Sequence, residues 1–150
     1  MNYPNGKRSP LAKWFSTAVL VFTLVFFGLV ISFAHADETQ IIAEVIAAEA
    51  CGEDEIGLRA VACVIANRAK AQGISPYAVV TARSQFFGYT ATNRHALYLQ
   101  VKPIVDRLAK DIMSLKDITG GALYFRRPDE KMFRWCRIET FRHKNHIFYK

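Results

Sequence analysis

The sequence predicts an α+β domain, several helices followed by a small antiparallel sheet, behind an apolar N-terminal leader. Three observations predict it. Apolar residues recur at spacings of three and four through most of 37–116. After Thr119-Gly120-Gly121, short β-branched and aromatic runs take over. Residues 14–34 carry no charge at all.

The leader comes first. Residues 1–13 hold Lys7, Arg8 and Lys13 and no acid, and 14–34 is dominated by Leu, Val, Phe and Ile. The run closes on Ala34-His35-Ala36 and turns acidic at Asp37-Glu38. A basic start, an apolar stretch and a small-x-small site are the marks of a secretory signal. The stretch is longer than the usual signal core, and about 20 apolar residues span a bilayer. Residues 1–36 are therefore expected to be either a signal peptide or a membrane anchor. In both cases the basic flank stays in the cytoplasm and 37–150 is exported, to the periplasm or cell envelope. That remainder is long enough for one domain and not two.

Three of the 20 basic residues fall in the leader, so 37–150 has a modest positive excess over its 13 acids. The acids cluster in 37–57 and the cations in 126–150. A basic end favours an anionic polymer such as cell wall, or phospholipid headgroups; export argues against nucleic acid. Cys51, Cys63 and Cys136 allow at most one intrachain disulfide, for which Cys51 and Cys63 are placed, and are otherwise expected to be small buried residues.

The first helix is expected over 37–51, with Ile41, Ile42, Val45 and Ile46 on one face and Gly52 as its stop. Asp54 caps a second helix running to about Gln72, with Gly73 ending it. Ser75-Pro76 is a cap followed by a first-turn proline, which starts a short third helix. Residues 84–92, aromatic and glycine-containing, read as a loop. The helical pattern returns over 94–116, where Pro103 should kink or divide it. Strands are expected at 122–126 and 146–149, with 132–138 a weaker third candidate.

Within this frame Glu49 is the acid that stands out. It falls three after Ile46, four after Val45, and seven and eight after Ile42 and Ile41, so it continues the apolar stripe. Ala47, Ala48 and Ala50 leave room around it, and Glu44 points away from that stripe. A carboxyl on a buried face should have a raised pKa, which is what a general acid needs near neutral pH. A helix-end Glu that turns outwards or pairs with Arg59 or Arg68 is the structural alternative.

The stretch Ala48-Glu49-Ala50-Cys51-Gly52-Glu53, followed by AVACVIANR at 60–68, resembles the catalytic start of the SleB-type cell wall hydrolases. Ser84-Gln85-Phe86, Thr119-Gly120-Gly121-Ala122-Leu123-Tyr124-Phe125 and Asn145-His146-Ile147-Phe148-Tyr149 match further segments in the family's order. The resemblance covers essentially all of 40–150. Cys51 stands where the family often has Arg, and the section 81–97 is shortened.

The resemblance implies a lysozyme-like domain in which Glu49 is the catalytic acid of a lytic transglycosylase. The bond cut would join N-acetylmuramic acid to N-acetylglucosamine. One carboxyl suffices, because the substrate's own 6-hydroxyl closes onto the anomeric carbon to give a 1,6-anhydro product. Ordinary glycosidases need two carboxylates; Glu53 is then the obvious second acid, or else a cap for the next helix. The substrate-binding candidates are Glu53, Gln85, Phe86, Gly120, Gly121, Tyr124, His146 and Tyr149. Along a strand Tyr124 and Phe125 alternate, so one of them is expected to face the groove. His143 and His146 with Cys136 match no standard zinc spacing, and neither metal nor cofactor is expected.

The expected partner is the peptidoglycan glycan strand, with the membrane added if 14–34 stays uncleaved, for a monomeric protein that does not bind nucleic acid. Two other classes fit the same residues. One is a phage-type endolysin released from the membrane, and the other a wall-binding, membrane-anchored protein without activity.

Overall fold

The computed structural model describes residues 10–131 and 138–150, with side chains for 19–27 within the first 36 residues. The chain divides into two units, Met1–Asp37 and Glu38–Lys150. Helix α1 is Pro10–Glu49. In the first unit its side chains at 19–27 are exposed. Among the described residues no helix is long and apolar enough to cross a membrane. The signal or anchor expected over 1–36 lies mostly outside the residues whose side chains are described.

The second unit is built around helix α2, Glu55–Gln72. The Asp54 carboxylate accepts from the amides of Ile56 and Gly57, both at 3.1 Å, and satisfies two of the orphan donors of a helix start. Gly73, at φ +66°, closes the other end. From Gly57 to Ala69 every residue but Arg59 and Asn67 is buried, and the alanines of this stretch let neighbours approach on several sides. Ile42, Val45 and Ile46 of α1 pack with Leu58, Val61 and Ile65 of α2 and with Val79 and Val80 of α3, Pro76–Thr81. Val105 and Leu108 of α4, Arg94–Lys110, close that cluster. Ser75 caps α3 as expected, its hydroxyl accepting from the Ala78 amide at 3.1 Å.

Pro103 does not divide α4, which runs through it. The carbonyl left without its partner belongs to Leu99; both residues are exposed, so water can replace the missing donor. Two short 3₁₀ turns, Phe87–Thr90 and Ile112–Ser114, lie in segments expected as loop and as helix.

The opposite side of α2 carries a sheet of three strands, β1 Tyr124–Arg126, β2 Glu139–His143 and β3 His146–Tyr149, in the order β1-β3-β2 and antiparallel throughout. Central β3 is buried along its whole length, and Phe148 packs with Ala60, Val64 and Ala122. The first and last strands fall where the sequence places them. The second begins just beyond the weaker candidate at 132–138, most of which lies outside the described residues. Alternation is disturbed there by a bulge between Glu139 and Phe141.

Candidate active site

The last turn of α1 delivers Glu49 to the floor of a cleft of about 840 Å³. The helix stripe that sets Glu49's direction is the buried one, since Ile42, Val45 and Ile46 are all in the core. One wall comes from the segment 84–97, including Gln85, Phe87 and Gly88; the other comes from β1 and the turn after it, including Tyr124, Arg126, Arg127 and Glu130.

Two features fix the Glu49 carboxyl. The Gly88 amide donates to Oε1 at 2.5 Å. A Cβ on Gly88 would stand 2.9 Å from Ala48 Cβ and 3.1 Å from Glu49 Cγ, so the turn can lie this close only because residue 88 is glycine. Burial raises the Glu49 pKa above the ordinary carboxylate range. The Gly88 amide, the Arg68 guanidinium and the Phe87 amide pull it back in part, and the Glu130 carboxylate adds to the rise. The net direction is upward, so the proton is held to higher pH than on an ordinary glutamate.

Arg68 is the hub beneath the cleft. It is only 8 % exposed. Its Nε donates to the Leu123 carbonyl at 2.5 Å and its Nη1 to Gln85 Oε1 at 3.2 Å. The guanidinium lies over the rings of Phe86, at 4.9 Å, and Tyr124, at 5.3 Å. Both walls are thus tied to one side chain of α2. Its neighbour Asn67 donates to the Ala122 carbonyl at 3.1 Å, and Asp117 accepts from Thr119 and from the Gly121 amide. The glycines at φ +68° and +82° make this turn possible.

Glu53 is not in the cleft. Its side chain is 0 % exposed. Oε1 accepts from the Asn145 amide at 3.1 Å and stands 3.5 Å from His146 Nδ1, too far for a good hydrogen bond. Asp54 beside it takes His143 Nε2 at 2.7 Å and Lys144 Nζ at 2.9 Å. Lys144, the Gly57 amide and His143 hold the Asp54 carboxyl far below its usual range. Glu53 and Asp54 are therefore the post that receives the β2–β3 hairpin. Glu53, Asp54 and His143 lie close enough to hold a cation, but Asp54 is already engaged with His143, Lys144 and the α2 start, and Glu53 Oε1 with the Asn145 amide.

The structure brings Glu49, Gln85, Tyr124 and His146 together around the cleft. Phe86 instead points into the core, 4 % exposed. Gly120 lies near Thr140 and Gly121 near Lys150, and neither lines the cleft. Tyr149 is buried, its hydroxyl accepting from Arg126 Nε at 3.2 Å. Both Tyr124 and Phe125 border the cleft, where alternation allows one; β1 is a three-residue edge strand, and the cleft passes its end as well as its face. His146 is buried, which pulls its pKa down and keeps the ring neutral. Cys51 is exposed at the rim and Cys63 is buried, both as free thiols. This corrects the burial expected of Cys51 and removes the Cys51–Cys63 pairing; Cys136 lies outside the described residues.

Glu44, Arg94, Gly88 and Glu130 were not singled out as functional from the sequence. Glu44 does not face solvent opposite the apolar stripe. It is buried and accepts from Arg94 Nε at 2.8 Å, with His95 Nδ1 also at 2.8 Å. Burial raises its pKa, but His95, Gln40 and Arg94 outweigh that and hold it low. Arg94 in turn donates to the Tyr89 carbonyl at 2.5 Å, which anchors the turn bearing Gly88.

The family described as Cell Wall Hydrolase matches residues 52–149, starting three residues beyond Glu49. The spore cortex-lytic enzyme of Halalkalibacterium halodurans is 30 % identical over 114 residues, which are 75 % of this chain and 34 % of that protein. The chain thus spans about a third of that relative's length. Among solved structures, the catalytic domain of the Bacillus cereus SleB protein superposes with a TM-score of 0.62 at 28 % identity, covering 77 % of this chain and 91 % of that one. The catalytic domain of the germination-specific lytic transglycosylase SleB from Bacillus anthracis gives 0.60 at 29 %, covering 75 % and 93 %.

Proposed function

Because this chain belongs to the SleB-type cell wall hydrolases, we propose that it cleaves peptidoglycan glycan strands as a lytic transglycosylase, with Glu49 as its single catalytic acid. The observation that carries the reading is the Glu49 carboxyl itself. It sits on the floor of an open cleft, is pushed up by burial and is oriented by a backbone amide. In the reaction Glu49 gives its proton to the oxygen between N-acetylmuramic acid and N-acetylglucosamine. The bond from that oxygen to the anomeric carbon breaks, and the leaving sugar departs as an alcohol. The muramic 6-hydroxyl oxygen then bonds to the anomeric carbon, and its proton returns to Glu49. The acid is regenerated and the product is a 1,6-anhydro sugar, with no water consumed.

Glu53 is withdrawn from the chemistry by its burial and its bond to Asn145. Gln85 and Tyr124, which line the cleft, are proposed to touch the glycan; His146 borders it but is buried. Glu130 supports a second reading. It is a carboxylate on the wall that also carries Arg127, and with Glu49 it makes the pair that ordinary hydrolysis requires. Product analysis separates the two. Purified peptidoglycan digested by the full chain should yield anhydro-muropeptides by mass spectrometry, whereas reducing ends would mean hydrolysis and make Glu130 the first carboxylate to test for water activation. Export by the apolar leader belongs to the same proposal, since the substrate lies outside the cytoplasmic membrane. The leader's charge-free run and Ala34-His35-Ala36 support it.

A further inference from the structure

Phe87 is the most exposed large apolar side chain among the described residues, 85 % open, while Phe86 beside it is 4 % open. Its exposure is not the result of a loose segment. Gly88 is fastened to Glu49, the Thr90 hydroxyl donates to the Phe87 carbonyl at 3.1 Å, and Arg94 holds the Tyr89 carbonyl. The backbone is held on both sides and presents the ring to the cleft that Glu49 floors.

The other aromatics of the cleft are already occupied. Tyr124 lies against the Arg68 guanidinium. Phe125 packs on Phe86, Phe148 and His146. Among the described residues Phe87 has neither ring nor cation against it. An aromatic face held in water at a site is costly unless a ligand covers it. What fits a flat, apolar, electron-rich face is the C–H face of a pyranose ring. The opposing wall, with Arg126, Arg127 and Glu130, suits the polar edge of the same sugar.

Resting on the function proposed above, the geometry points to Phe87 as a stacking platform for a sugar ring of the glycan strand, beside the bond that Glu49 protonates. The residue binds substrate and takes no part in proton transfer. Its ring reads the hexose face and not the peptide stem, so its contribution is retained on glycan stripped of peptides.

The test is titration of peptide-free glycan strands into the full chain carrying Glu49→Gln, alone and combined with Phe87→Ala or Phe87→Trp. Cleavage of intact peptidoglycan by the corresponding single variants is measured alongside. Phe87→Ala should weaken binding by roughly ten-fold, the scale of one aromatic contact, and raise KM more than it lowers kcat. Phe87→Trp should bind within about three-fold of the parent, since it keeps the stacking face. Equal binding with and without the ring would overturn the platform. A loss of kcat at unchanged affinity would overturn it too, since the residue would then only support the Gly88 turn. If the ring is needed for binding but the unsubstituted chain releases no glycan fragments, the platform stands and the cleavage reading fails.

Discussion

The amide of Gly88 donates to Oε1 of Glu49 across 39 residues of sequence. That bond joins the end of α1 to the turn before α4, and it holds the candidate acid in one orientation. Around it stand a ring of anchors: Ala48 beneath Gly88, Arg94 on the Tyr89 carbonyl, and Glu44 behind Arg94.

Gly88→Ala tests the close approach. The added methyl would meet Ala48 Cβ at 2.9 Å and the Val45 carbonyl oxygen at 3.1 Å, so the turn must move off. Overpacking of this kind costs about 1–3 kcal/mol. The expected outcome is a lower Tm and at least a ten-fold loss of activity on peptidoglycan, read by thermal melts and muropeptide release. Wild-type activity in this variant would show that the amide does not matter.

Glu130→Gln tests the electrostatics. The Glu130 charge helps to raise the Glu49 pKa, so its removal lets that pKa fall. In the proposed mechanism activity depends on protonated Glu49, so the alkaline limb of the pH–rate profile should move to lower pH. A profile unchanged in position would detach Glu130 from Glu49.

The same shift bears on stability. A carboxyl whose pKa is raised on folding contributes stability that is complete below the unfolded value, near 4.3, and lost as pH rises through the folded one. Glu49→Gln abolishes that loss. Its Tm should therefore match or exceed the wild type near neutral pH, with the advantage shrinking on acidification through the ordinary Glu range. A variant less stable at neutral than at acidic pH, relative to wild type, would contradict the raised pKa.

Gly57→Ala addresses the hairpin post. A Cβ there would lie 2.5 Å from Glu53 Cβ and 2.8 Å from its Oε2. The buried Glu53 would have to shift away from the Asn145 amide, at a cost of about 1–3 kcal/mol. A drop in Tm is expected, with accelerated amide exchange at Asn145. Unchanged exchange there would mean that Glu53 does not hold the hairpin.

Much of the helical part was legible because local signals agreed. Asp54, Gly73 and Ser75-Pro76 each mark a helix end by their own chemistry, and the stripe through Ile42, Val45 and Ile46 sets the direction of Glu49. The partners of those residues were not legible. Nothing local distinguishes Phe86, turned inward, from Phe87, turned outward; the choice is made by Arg68, which lies over Phe86 from another element. Glu44 points away from the apolar stripe, and nothing in the sequence marks it as buried. That part of α1 is buried on a second side by α4, and only the fold brings Arg94 and His95 there. Gly88 carried a faint signal, a glycine in an aromatic loop, with no indication of which side chain it approaches. The β2 strand carries a weak signal because its alternation is broken by a bulge between Glu139 and Phe141. Gly120 and Gly121 follow the family's order of segments, yet in the structure they form the turn that Asp117 organises.

Glu49 is proposed to supply the proton that breaks the glycan. This role is tested most directly by mass spectrometry of purified peptidoglycan after digestion by the full chain, beside Glu49→Gln. Anhydro-muropeptides are expected from the wild type and a loss of at least about a hundred-fold in the variant, the scale of general acid catalysis, with both proteins folded by circular dichroism. Equal release from the two would contradict it and move the chemistry to another residue.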